Sequence, residues 1–511
     1  MAKSLSFHEV SFTYDTLADE LFAALNVQFH EGWTGIVGAN GSGKSTLLQL
    51  AAGMLQPTAG SIHRSGAVVY CPQRTDEPPE GLGEFLKADD PSARELQGRL
   101  EIRQDYLPRW STLSHGERKR AQIAAALWRR PAVLAVDEPS NHIDLAAKEL
   151  LVQRLRAFDG VGLLVSHDRD MLDSLCNSCL FIDPPTIAIR PGNYTSAAAQ
   201  HEADIRRLRD LRDQAGRQVR QLRQEMAKRR QSAAKEHKVR SKRGLAIKDH
   251  DSREKINRAR VADSKSGAGL RQLKGRMQQA WDKLSALTAK NESPTGIFLP
   301  QDTSRRDFLF RIASGTLALG RNERGSDRML EFADLSMAPA DRIALTGPNG
   351  AGKSTLIAHI LGRLALPPDK VLYMPQEIPA DQAAAILDQA RRLEHERLGW
   401  AMNIISRLGS DPQRVLATES PSPGEIRKLM LAMGISSNVH MIIMDEPTNH
   451  LDLPSIRCLE EALEPCPMGL LLVSHDMTFL RKLTTVRWDI QTDAEGERTS
   501  LQVCDWRSQA G

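Results

Sequence analysis

Short apolar runs, separated by polar and glycine-rich stretches, are the main pattern at both ends of this chain. Residues 34–38, 132–136 and 161–165 form such runs near the N-terminus, and residues 342–346, 440–444 and 468–473 form them near the C-terminus. Runs that are apolar throughout predict strands buried on both faces, as in a parallel sheet covered by helices. A further strand is predicted at Leu5–Phe12, and residues 45–52 predict a helix. We therefore expect an α/β fold at each end.

The middle of the chain has a helical period instead. Apolar residues recur there at steps of three and four, first at Ile205, Leu208, Leu211, Ala215, Val219, Leu222 and Met226, then at Leu270, Leu273, Met277, Trp281, Leu284 and Leu287. Such a seam is typical of helices that pack as a coiled coil. The sequence thus predicts a first α/β domain over residues 4–195, an antiparallel helical hairpin over 196–296 and a second α/β domain over 297–508.

The two α/β regions carry the same glycine-rich motif, G-x-x-x-x-G-K-[ST]. The first copy comprises Gly38, Ala39, Asn40, Gly41, Ser42, Gly43, Lys44, Ser45 and Thr46. The second comprises Gly347, Pro348, Asn349, Gly350, Ala351, Gly352, Lys353, Ser354 and Thr355. In this loop glycines let backbone N–H groups converge on phosphate oxygens, a lysine reaches the β- and γ-phosphates, and a hydroxyl binds Mg²⁺. Two copies predict two nucleoside triphosphate sites.

The repeat extends beyond these loops. Asp137-Glu138-Pro139 recurs as Asp445-Glu446-Pro447, and Ser166-His167-Asp168 recurs as Ser474-His475-Asp476, both at an offset of 308 positions. Equal order and spacing indicate duplication of a whole domain.

Each repeat supplies candidate groups for hydrolysis of a phosphoanhydride. Asp137 and Asp445 can hold Mg²⁺, while Glu138 and Glu446 can polarise the attacking water. His167 and His475, 29 positions after the glutamates, are placed to contact the γ-phosphate and the water. Gln73 and Gln376 can bind Mg²⁺ and the water through their amides. A hydroxyl and a glycine N–H at a helix N-terminus suit a γ-phosphate, which makes candidates of Ser114, Gly116, Ser422 and Gly424.

Charge is divided unevenly along the chain. Residues 201–290 hold 26 Lys and Arg against 11 Asp and Glu, so this segment is strongly basic although the whole chain has a net charge of only +4. A one-signed excess favours a polyanionic partner, although a solvated coiled-coil linker would also be charged. The candidate RNA-binding residues lie near the predicted hairpin tip: Arg229, Arg230, Lys238, Arg240, Lys242, Arg243, Lys248, Arg253, Lys255, Arg258 and Arg260.

Two further observations limit the class of protein. No run of about 18 apolar residues is present, and the predicted strand at Leu5–Phe12 leaves no room for a signal peptide, so we expect a cytoplasmic protein without membrane spans. Cys176 and Cys179 form a lone C-x-x-C, which we interpret as buried thiols rather than a metal site.

The motifs, in this order and twice over, resemble those of ATP-binding cassette ATPases. The Asn-His-Ile/Leu-Asp segments after each Glu-Pro, the charged helical linker and the lack of membrane spans resemble the ABC-F class specifically. The resemblance implies a head-to-tail pair of cassettes. One ATP would lie between Lys44 and the signature at Ser422–Gly424, and the other between Lys353 and the signature at Ser114–Gly116. It also implies binding at the ribosomal E site, with the linker directed to P-site tRNA and the peptidyl-transferase centre.

The chain departs from the family pattern in places. His115 and Pro423 each replace the first glycine of a signature. Tyr14 is the candidate to stack on adenine in the first half, and we find no obvious equivalent before Lys353. Gln73 and Ser114 are only 41 positions apart, too few for the arm with which some relatives reach the ribosomal L1 stalk.

Several functional alternatives remain open from the sequence. Backbone-phosphate binding does not distinguish RNA from DNA, so a DNA-repair ATPase is the main rival. A transporter ATPase subunit would need separate membrane partners, and a non-catalytic scaffold would not need both glutamates and both histidines. A housekeeping translation factor and an antibiotic-resistance protein fit equally well. Two halves that satisfy each other would form a monomer.

Overall fold

The structure is a computed structural model that describes residues 3–15, 20–140, 143–184, 186–239, 272–285, 304–321, 327–418, 421–435, 439–449, 451–493 and 498–506. Side chains of Arg230 and of residues 232–239 are outside this description. The chain divides into two compact units, one formed by residues 1–197 with 293–511 and the other by residues 198–292.

The N-terminal half of the first unit has an α/β fold in which a central strand leads into the phosphate loop. Its strands are β1 (Leu5–Phe12), β2 (Phe22–Phe29), β3 (Gly32–Gly38), β4 (Ala59–Arg64), β5 (Val68–Cys71), β6 (Val133–Asp137), β7 (Val161–Val165), β8 (Cys176–Asp183) and β9 (Thr186–Pro191). Its helices are α1 (Lys44–Ala52), α2 (Leu82–Lys87), α3 (Pro91–Arg99), α4 (His115–Trp128), α5 (Leu145–Arg156) and α6 (Arg169–Leu175), with a 3₁₀ turn at Trp110–Thr112.

The order of the strands places the chemistry at one edge. The six-stranded sheet runs β5-β6-β7-β3-β8-β9, and β5, β6, β7, β3 and β8 are parallel neighbours. Strands β6 and β7 are fully buried, as continuous apolar runs require. Because parallel strands share one carboxyl edge, the groups that follow β3, β6 and β7 meet there. A second, three-stranded sheet of order β2-β1-β4 packs into the same core.

A single long helix, α7 (Tyr194–Val239), follows β9. In the second unit, α7 packs against α8 (residues 272–285) through Val219, Leu222, Met226, Leu273 and Ala280. The predicted seam is only partly correct: Leu208, Leu211 and Trp281 are exposed, and Ala280 is buried next to Trp281. The Arg223 guanidinium lies 5.2 Å from the centre of the Trp281 ring, so this indole covers a cation at the surface.

The predicted hairpin tip is largely outside the described residues. Arg229 is exposed on α7 and forms an ion pair with Glu225, and the backbone at Arg230 and Lys238 is helical. The remaining basic candidates lie outside the description: Arg240, Lys242, Arg243, Lys248, Arg253, Lys255, Arg258 and Arg260.

The C-terminal half of the first unit repeats the α/β order. Its strands are β10 (Phe310–Ile312), β11 (Gly315–Arg321), β12 (Asp327–Phe332), β13 (Leu335–Met337), β14 (Arg342–Thr346), β15 (Val371–Met374), β16 (Met441–Asp445), β17 (Gly469–Val473), β18 (Val486–Thr492) and β19 (Arg498–Asp505). Its helices are α9 (Lys353–Leu361), α10 (Ala380–Arg391), α11 (His395–Arg407), α12 (Pro412–Ala417), α13 (Pro423–Ile435), α14 (Leu453–Leu463) and α15 (Met477–Leu483), with a 3₁₀ turn at Pro368–Lys370.

The sheet of this half extends further than that of the first. Its order is β11-β12-β19-β18-β14-β17-β16-β15, in which the last six strands correspond to the first sheet and β12 adds to β19 in parallel. The predicted central strands are present, with β16 shifted by one residue from 440–444. The expected fold class, two α/β cassettes with a helical linker, is confirmed.

Candidate active sites

Both phosphate loops form the turn that the glycine-rich motif predicts. Gly41 and Gly43 have φ of 80° and 97°, and Gly350 and Gly352 have φ of 75° and 100°, a backbone region that favours glycine. In each loop the lysine lies back over its own turn. Lys44 Nζ donates to the carbonyls of Gly38 and Ala39, both at 2.9 Å, and burial lowers its pKa.

The second lysine is held in the same way. Lys353 Nζ donates to the carbonyls of Gly347 at 2.8 Å and Pro348 at 3.0 Å, and burial lowers its pKa as well. Among the described residues each ammonium has two carbonyl partners, so one of its three N–H donors remains for an anion at the helix N-terminus.

The aspartates that end β6 and β16 lie beside hydroxyl groups. Ser354 Oγ donates to Asp445 Oδ2 at 2.9 Å, so two of the three predicted Mg²⁺ ligands of the second half are adjacent. In the first half Tyr70 Oη donates to Asp137 Oδ2 at 3.1 Å, and Ser45, Asp137 and Gln73 line one cavity. Oxygen ligands of this kind are those that Mg²⁺ prefers.

The glutamates that follow these aspartates have an unusual backbone. Glu138 and Glu446 have φ of 44° and 50°, which is a strained region for a residue with a side chain. Their amides are nevertheless fixed, because Glu138 donates to the Val165 carbonyl at 2.8 Å and Glu446 to the Val473 carbonyl at 2.9 Å. Strain that the surrounding structure enforces is typical of functional positions.

Each glutamate faces the histidine of the next strand. The His167 amide donates to Glu138 Oε2 at 3.3 Å, and the His475 amide donates to Glu446 Oε2 at 3.2 Å. The His167 ring nitrogen Nε2 lies 3.2 Å from Glu138 Oε1, and that of His475 lies 3.4 Å from Glu446 Oε1.

Burial decides the protonation of these pairs. It lowers the pKa of His167 to about 3 and that of His475 to about 4, so both imidazoles are neutral at pH 7. It also raises the pKa of Glu138 and of Glu446 to about 8. The short His–Glu distances are therefore not ion pairs. Although the histidine Nε2 lies close to it, no hydrogen bond joins the two atoms, and within the described structure Oε1 of each glutamate is buried without a hydrogen-bond partner. This oxygen can therefore accept a hydrogen bond from a water molecule.

The predicted signature serines cap helices α4 and α13. Ser114 Oγ donates to Glu117 Oε2 at 2.7 Å and accepts from the Glu117 amide at 3.3 Å. Ser422 and Glu425 repeat both bonds at the same distances. This capping box orients the N-terminus of each helix, where Gly116 and Gly424 lie in the first turn.

One cavity is lined by residues of both halves. Its volume is about 550 Å³, and its lining combines residues of the first half with signature residues of the second: Tyr14, Leu21, Asn40, Gly41, Gly43, Lys44, Ser45, Thr46, Gln73, Asp137, Glu138, Val165, His167, Ser422, Pro423 and Gly424. Asp452 also reaches the first phosphate loop, where its Oδ2 accepts from the Asn40 amide at 2.7 Å. Tyr14 lies at one wall, with its hydroxyl 2.9 Å from Thr46 Oγ1.

Fewer contacts among the described residues define the second site. Asp144, the counterpart of Asp452, is near enough for its charge to act on Lys353 and His475. Gln376 is exposed after β15, and its carbonyl accepts from Arg427. The pairing of Lys353 with Ser114 and Gly116 stays a prediction.

Sequence reasoning missed a buried cation in each half. Lys119 is fully buried and donates to the carbonyls of Pro72 at 2.7 Å and Asp137 at 3.1 Å, which ties helix α4 to the segments before Gln73 and Glu138. Arg427, which lies 308 positions after Lys119, donates to the backbone carbonyls of Glu446 and Gln376. The recurrence of a basic residue at this offset was the available signal.

The cysteines agree with the interpretation as buried thiols. Cys176 and Cys179 are buried and reduced, and burial raises the pKa of Cys179 to about 12. Across the described residues no cluster of three or more His, Cys, Asp or Glu has the arrangement of a metal site formed by protein alone. None of the helices described combines the length and apolar character needed to cross a bilayer.

The donor set nevertheless fits a nucleotide with Mg²⁺. Each half offers a lysine, a hydroxyl, a carboxylate and a helix N-terminus, and the buried Ser42 Oγ has no partner within the described part of the chain. Those groups match phosphate oxygens and a hard cation, while the Tyr14 ring offers a face for a base.

Comparisons with known proteins identify the two cassettes. The family model described as ABC transporter matches residues 22–141 and 330–449. The ribosome protection protein VmlR of Bacillus subtilis is 28% identical over 92% of this chain and 84% of its own length. The tylosin resistance ATP-binding protein TlrC of Streptomyces fradiae is 29% identical over 94% and 96%. The energy-dependent translational throttle protein EttA of Escherichia coli is 26% identical over 91% and 88%.

Solved structures show the same fold. A structure titled RNase-L Inhibitor covers 98% of this chain and 91% of its own, with a TM-score of 0.64 at 19% identity. The archaeal ribosome recycling factor aABCE1, in complex with a stalk protein, gives a TM-score of 0.62 at 18% identity and covers 98% and 90%. Two cassette matches and relatives along most of the chain lead to one conclusion: this protein is an ATPase with two ATP-binding cassettes, and it is similar over most of its length to ABC-F proteins.

Proposed function

We propose that this protein is an ATP-gated clamp that binds the ribosome and regulates or protects translation. The observation that carries the proposal is the cavity in which the phosphate loop of one cassette faces the signature of the other. A γ-phosphate bound there contacts both cassettes at once, so its loss on hydrolysis favours opening. Nucleotide-controlled order of this kind is an established form of switching.

Each ATP site is assigned a full set of residues. We assign phosphate binding to Gly38–Thr46 and Gly347–Thr355. In the first site, we assign stacking on the adenine base to Tyr14. Mg²⁺ is assigned to Ser45, Asp137 and Gln73 in the first site and to Ser354, Asp445 and Gln376 in the second. When bound, the cation neutralises phosphate charge.

The protein groups then have distinct tasks in hydrolysis. Lys44 leaves the carbonyls of its own loop for the phosphates, and Ser422 and Gly424 donate to the γ-phosphate from the opposite cassette. Glu138 accepts a hydrogen bond from the attacking water and orients it, because its Oε1 is buried and unpartnered among the described residues. The neutral His167 can donate from Nε2 to the γ-phosphate. Glu446 and His475 do the same in the second site.

Ribosome binding is inferred from the relatives and from charge. VmlR and EttA are, by name, a ribosome protection protein and a translational throttle. The basic segment at 201–290 provides cations for RNA phosphates, and its predicted tip residues are assigned to rRNA and tRNA near the E site. We assign the cassettes to residues 4–195 and 297–508 and the linker to 196–296. If each cassette completes a site of the other, one chain suffices for both sites, so we expect a monomer, which light scattering after gel filtration would test. We also propose a cytoplasmic location, because the proposed target is the ribosome.

The test is sedimentation of the Glu138→Gln/Glu446→Gln variant with cell extract on a sucrose gradient. Both substitutions keep the side-chain size and remove the carboxylate, so ATP stays bound and the clamp stays closed. We expect co-migration with 70S particles in ATP and not in ADP. The matched control adds Lys44→Met and Lys353→Met and should stay at the top in both nucleotides.

Two results would redirect the proposal. Equal co-migration in ATP and ADP would show ribosome binding without gating. A protein that stays at the top in ATP would contradict the ribosomal role, and binding to branched duplex DNA would then be measured as the main rival.

Inhibition curves with peptidyl-transferase drugs would separate a resistance protein from a housekeeping factor.

A further inference from the structure

A cluster of buried charges joins the two cassettes beside the histidine segments. Arg169, the first residue of α6, extends its guanidinium into the second cassette, where Nη2 lies 2.5 Å from Glu460 Oε1 and 3.0 Å from Asp476 Oδ2. The side chain of Arg169 is 10% exposed, and those of Glu460 and Asp476 are 3% and 8% exposed. We call these three residues the interface triad.

The triad has no mirror image in the other direction, although the cassettes are repeats. At the offset of 308, Arg169 corresponds to Met477, and Glu460 corresponds to Val152. Asp476 corresponds to Asp168, whose negative charge is paired with a different cation.

Asp168 is paired within its own cassette. Lys148 Nζ lies 2.6 Å from Asp168 Oδ2 and 3.7 Å from Asp170 Oδ2. The counterpart of Lys148 in the second cassette is Ile456, which is buried and apolar. The aspartate after His167 therefore has a cation in cis, whereas the aspartate after His475 has its close cation in trans.

The aspartates hold the segments that carry the histidines. Asp476 follows His475 directly and caps α15 by accepting from the Phe479 amide at 2.8 Å. Asp168 does the same for α6, where it accepts from the Met171 amide at 2.9 Å. A cap residue with a fixed carboxylate fixes the residue before it, so the position of each histidine depends on the partner of its aspartate.

Other charges around Asp476 do not replace Arg169. Burial raises the pKa of Asp476, and the nearby Asp168 charge raises it further, while Arg169 is the largest influence in the opposite direction. The charge of Lys148 also reaches Asp476, but the close contacts of Lys148 are with Asp168 and Asp170. Lys482 pairs with Glu460 at 3.1 Å. Separation of the cassettes thus leaves Asp476 without its nearest cation, and a buried unpaired carboxylate is unfavourable.

We propose that Arg169 is a positioning residue supplied in trans to the second ATP site, holding Asp476 and through it His475 only while the cassettes are closed. The first site has no such dependence, because Lys148 holds Asp168 in the same cassette. The inference rests on the proposed hydrolysis at both sites. It makes the position of His475, but not that of His167, depend on closure in addition to the signature contacts proposed for both sites.

The experiment measures single-turnover hydrolysis in backgrounds that report one site each. Glu446→Gln leaves the first site active, and Glu138→Gln leaves the second. Arg169→Met, which introduces the residue found at position 477, is expected to slow the second site about tenfold to a hundredfold, as small misplacements of catalytic groups do. The first site should change by less than about threefold, and ATP affinity should hold in both backgrounds. Arg169→Lys should restore most of the second-site rate.

The matched control is Thr478→Ala, which removes another contact between the cassettes. Thr478 Oγ1 donates to Asp170 Oδ1 at 2.9 Å, a bond that does not involve Asp476. It should slow neither site by more than about threefold. If Arg169→Met lowers the yield of folded protein, Arg169→Gln, which is polar and uncharged and ends two bonds short of the Nη2 contacts, gives the same comparison.

The outcomes separate this inference from the proposed function. Equal slowing of both sites, or no slowing of the second, would overturn the role of Arg169 while the ATPase assignment stands. A parent background that binds ATP and hydrolyses none at its intact site would contradict the proposed catalytic residues instead.

Discussion

The signature serine of the second cassette gives the sharpest test of the composite ATP site. Ser422 Oγ donates its proton to Glu425 Oε2 at 2.7 Å and accepts from the Glu425 amide at 3.3 Å. It also lines the cavity that contains Lys44. When ATP binds, the hydroxyl can rotate and donate to the γ-phosphate, while its lone pair still caps the helix.

The substitution Ser422→Ala removes both interactions, and their magnitudes differ. Loss of an N-cap costs about 1 kcal/mol, and this cost is the same with ATP or ADP bound. Loss of a hydrogen bond to a charged phosphate costs about 1.5–3 kcal/mol, and only ATP has the group. We therefore expect the affinity of one site for ATP to fall about tenfold to a hundredfold, with little change for ADP.

Titration calorimetry on the Glu138→Gln/Glu446→Gln protein measures this difference without hydrolysis. Combined with Lys44→Met, which empties the first site, Ser422→Ala should change the remaining affinity little. Combined with Lys353→Met, it should weaken the remaining site by the full factor. Ser114→Ala is the matched control and should give the opposite pattern.

Two results would contradict the proposed contact of Ser422 with the γ-phosphate. An equal loss for ATP and ADP would mean that the serine acts only as a helix cap. A second result would be a full loss of ATP affinity when Ser422→Ala is added to Lys44→Met. Substitutions within one site do not act independently, so such additivity would place Ser422 outside the first site.

Three further predictions concern the loop, the thiols and the cation. Gly38→Ala should reduce ATP affinity at least about tenfold in equilibrium binding, because the new methyl would lie 2.5 Å from the Ile182 carbonyl oxygen; unchanged binding would contradict the loop geometry. Ellman's reagent at pH 8 should titrate Cys504 rapidly and the other thiols only after denaturation, since they are buried and the pKa of Cys179 is raised to about 12; two rapid thiols would contradict this. Chelation of Mg²⁺ with EDTA should reduce phosphate release below about 1% of its rate, because a hydroxyl and a carboxylate in each site are placed for the cation; persistent turnover would refute that assignment.

Local sequence patterns predicted the elements well because each pattern has a local cause. Continuous apolar runs predicted the buried strands β6, β7, β14, β16 and β17 to within one residue, since a strand between helix layers must be apolar on both faces. The glycine motif predicted both phosphate loops because the positive φ angles of their turns favour glycine.

Features that depend on distant contacts were less predictable. The seam of α7 and α8 was extended too far, because a three–four spacing at Leu208 and Trp281 does not specify a partner surface. Buried Lys119 and the interface triad join segments far apart in sequence, and a charged residue alone gives no sign of burial. The sequence signal for Lys119 was a basic residue 308 positions later, and the signal for the interface triad was a difference between residues 308 positions apart.

A cryo-electron microscopy map of the Glu138→Gln/Glu446→Gln protein with ATP and ribosomes tests the composite ATP sites and ribosome binding together. We expect two ATP molecules per chain, one with its γ-phosphate between Lys44 and Ser422 and the other between Lys353 and Ser114, with the 201–290 segment on RNA. Nucleotides bound to single cassettes, or a bound protein whose basic segment faces solvent, would contradict this expectation.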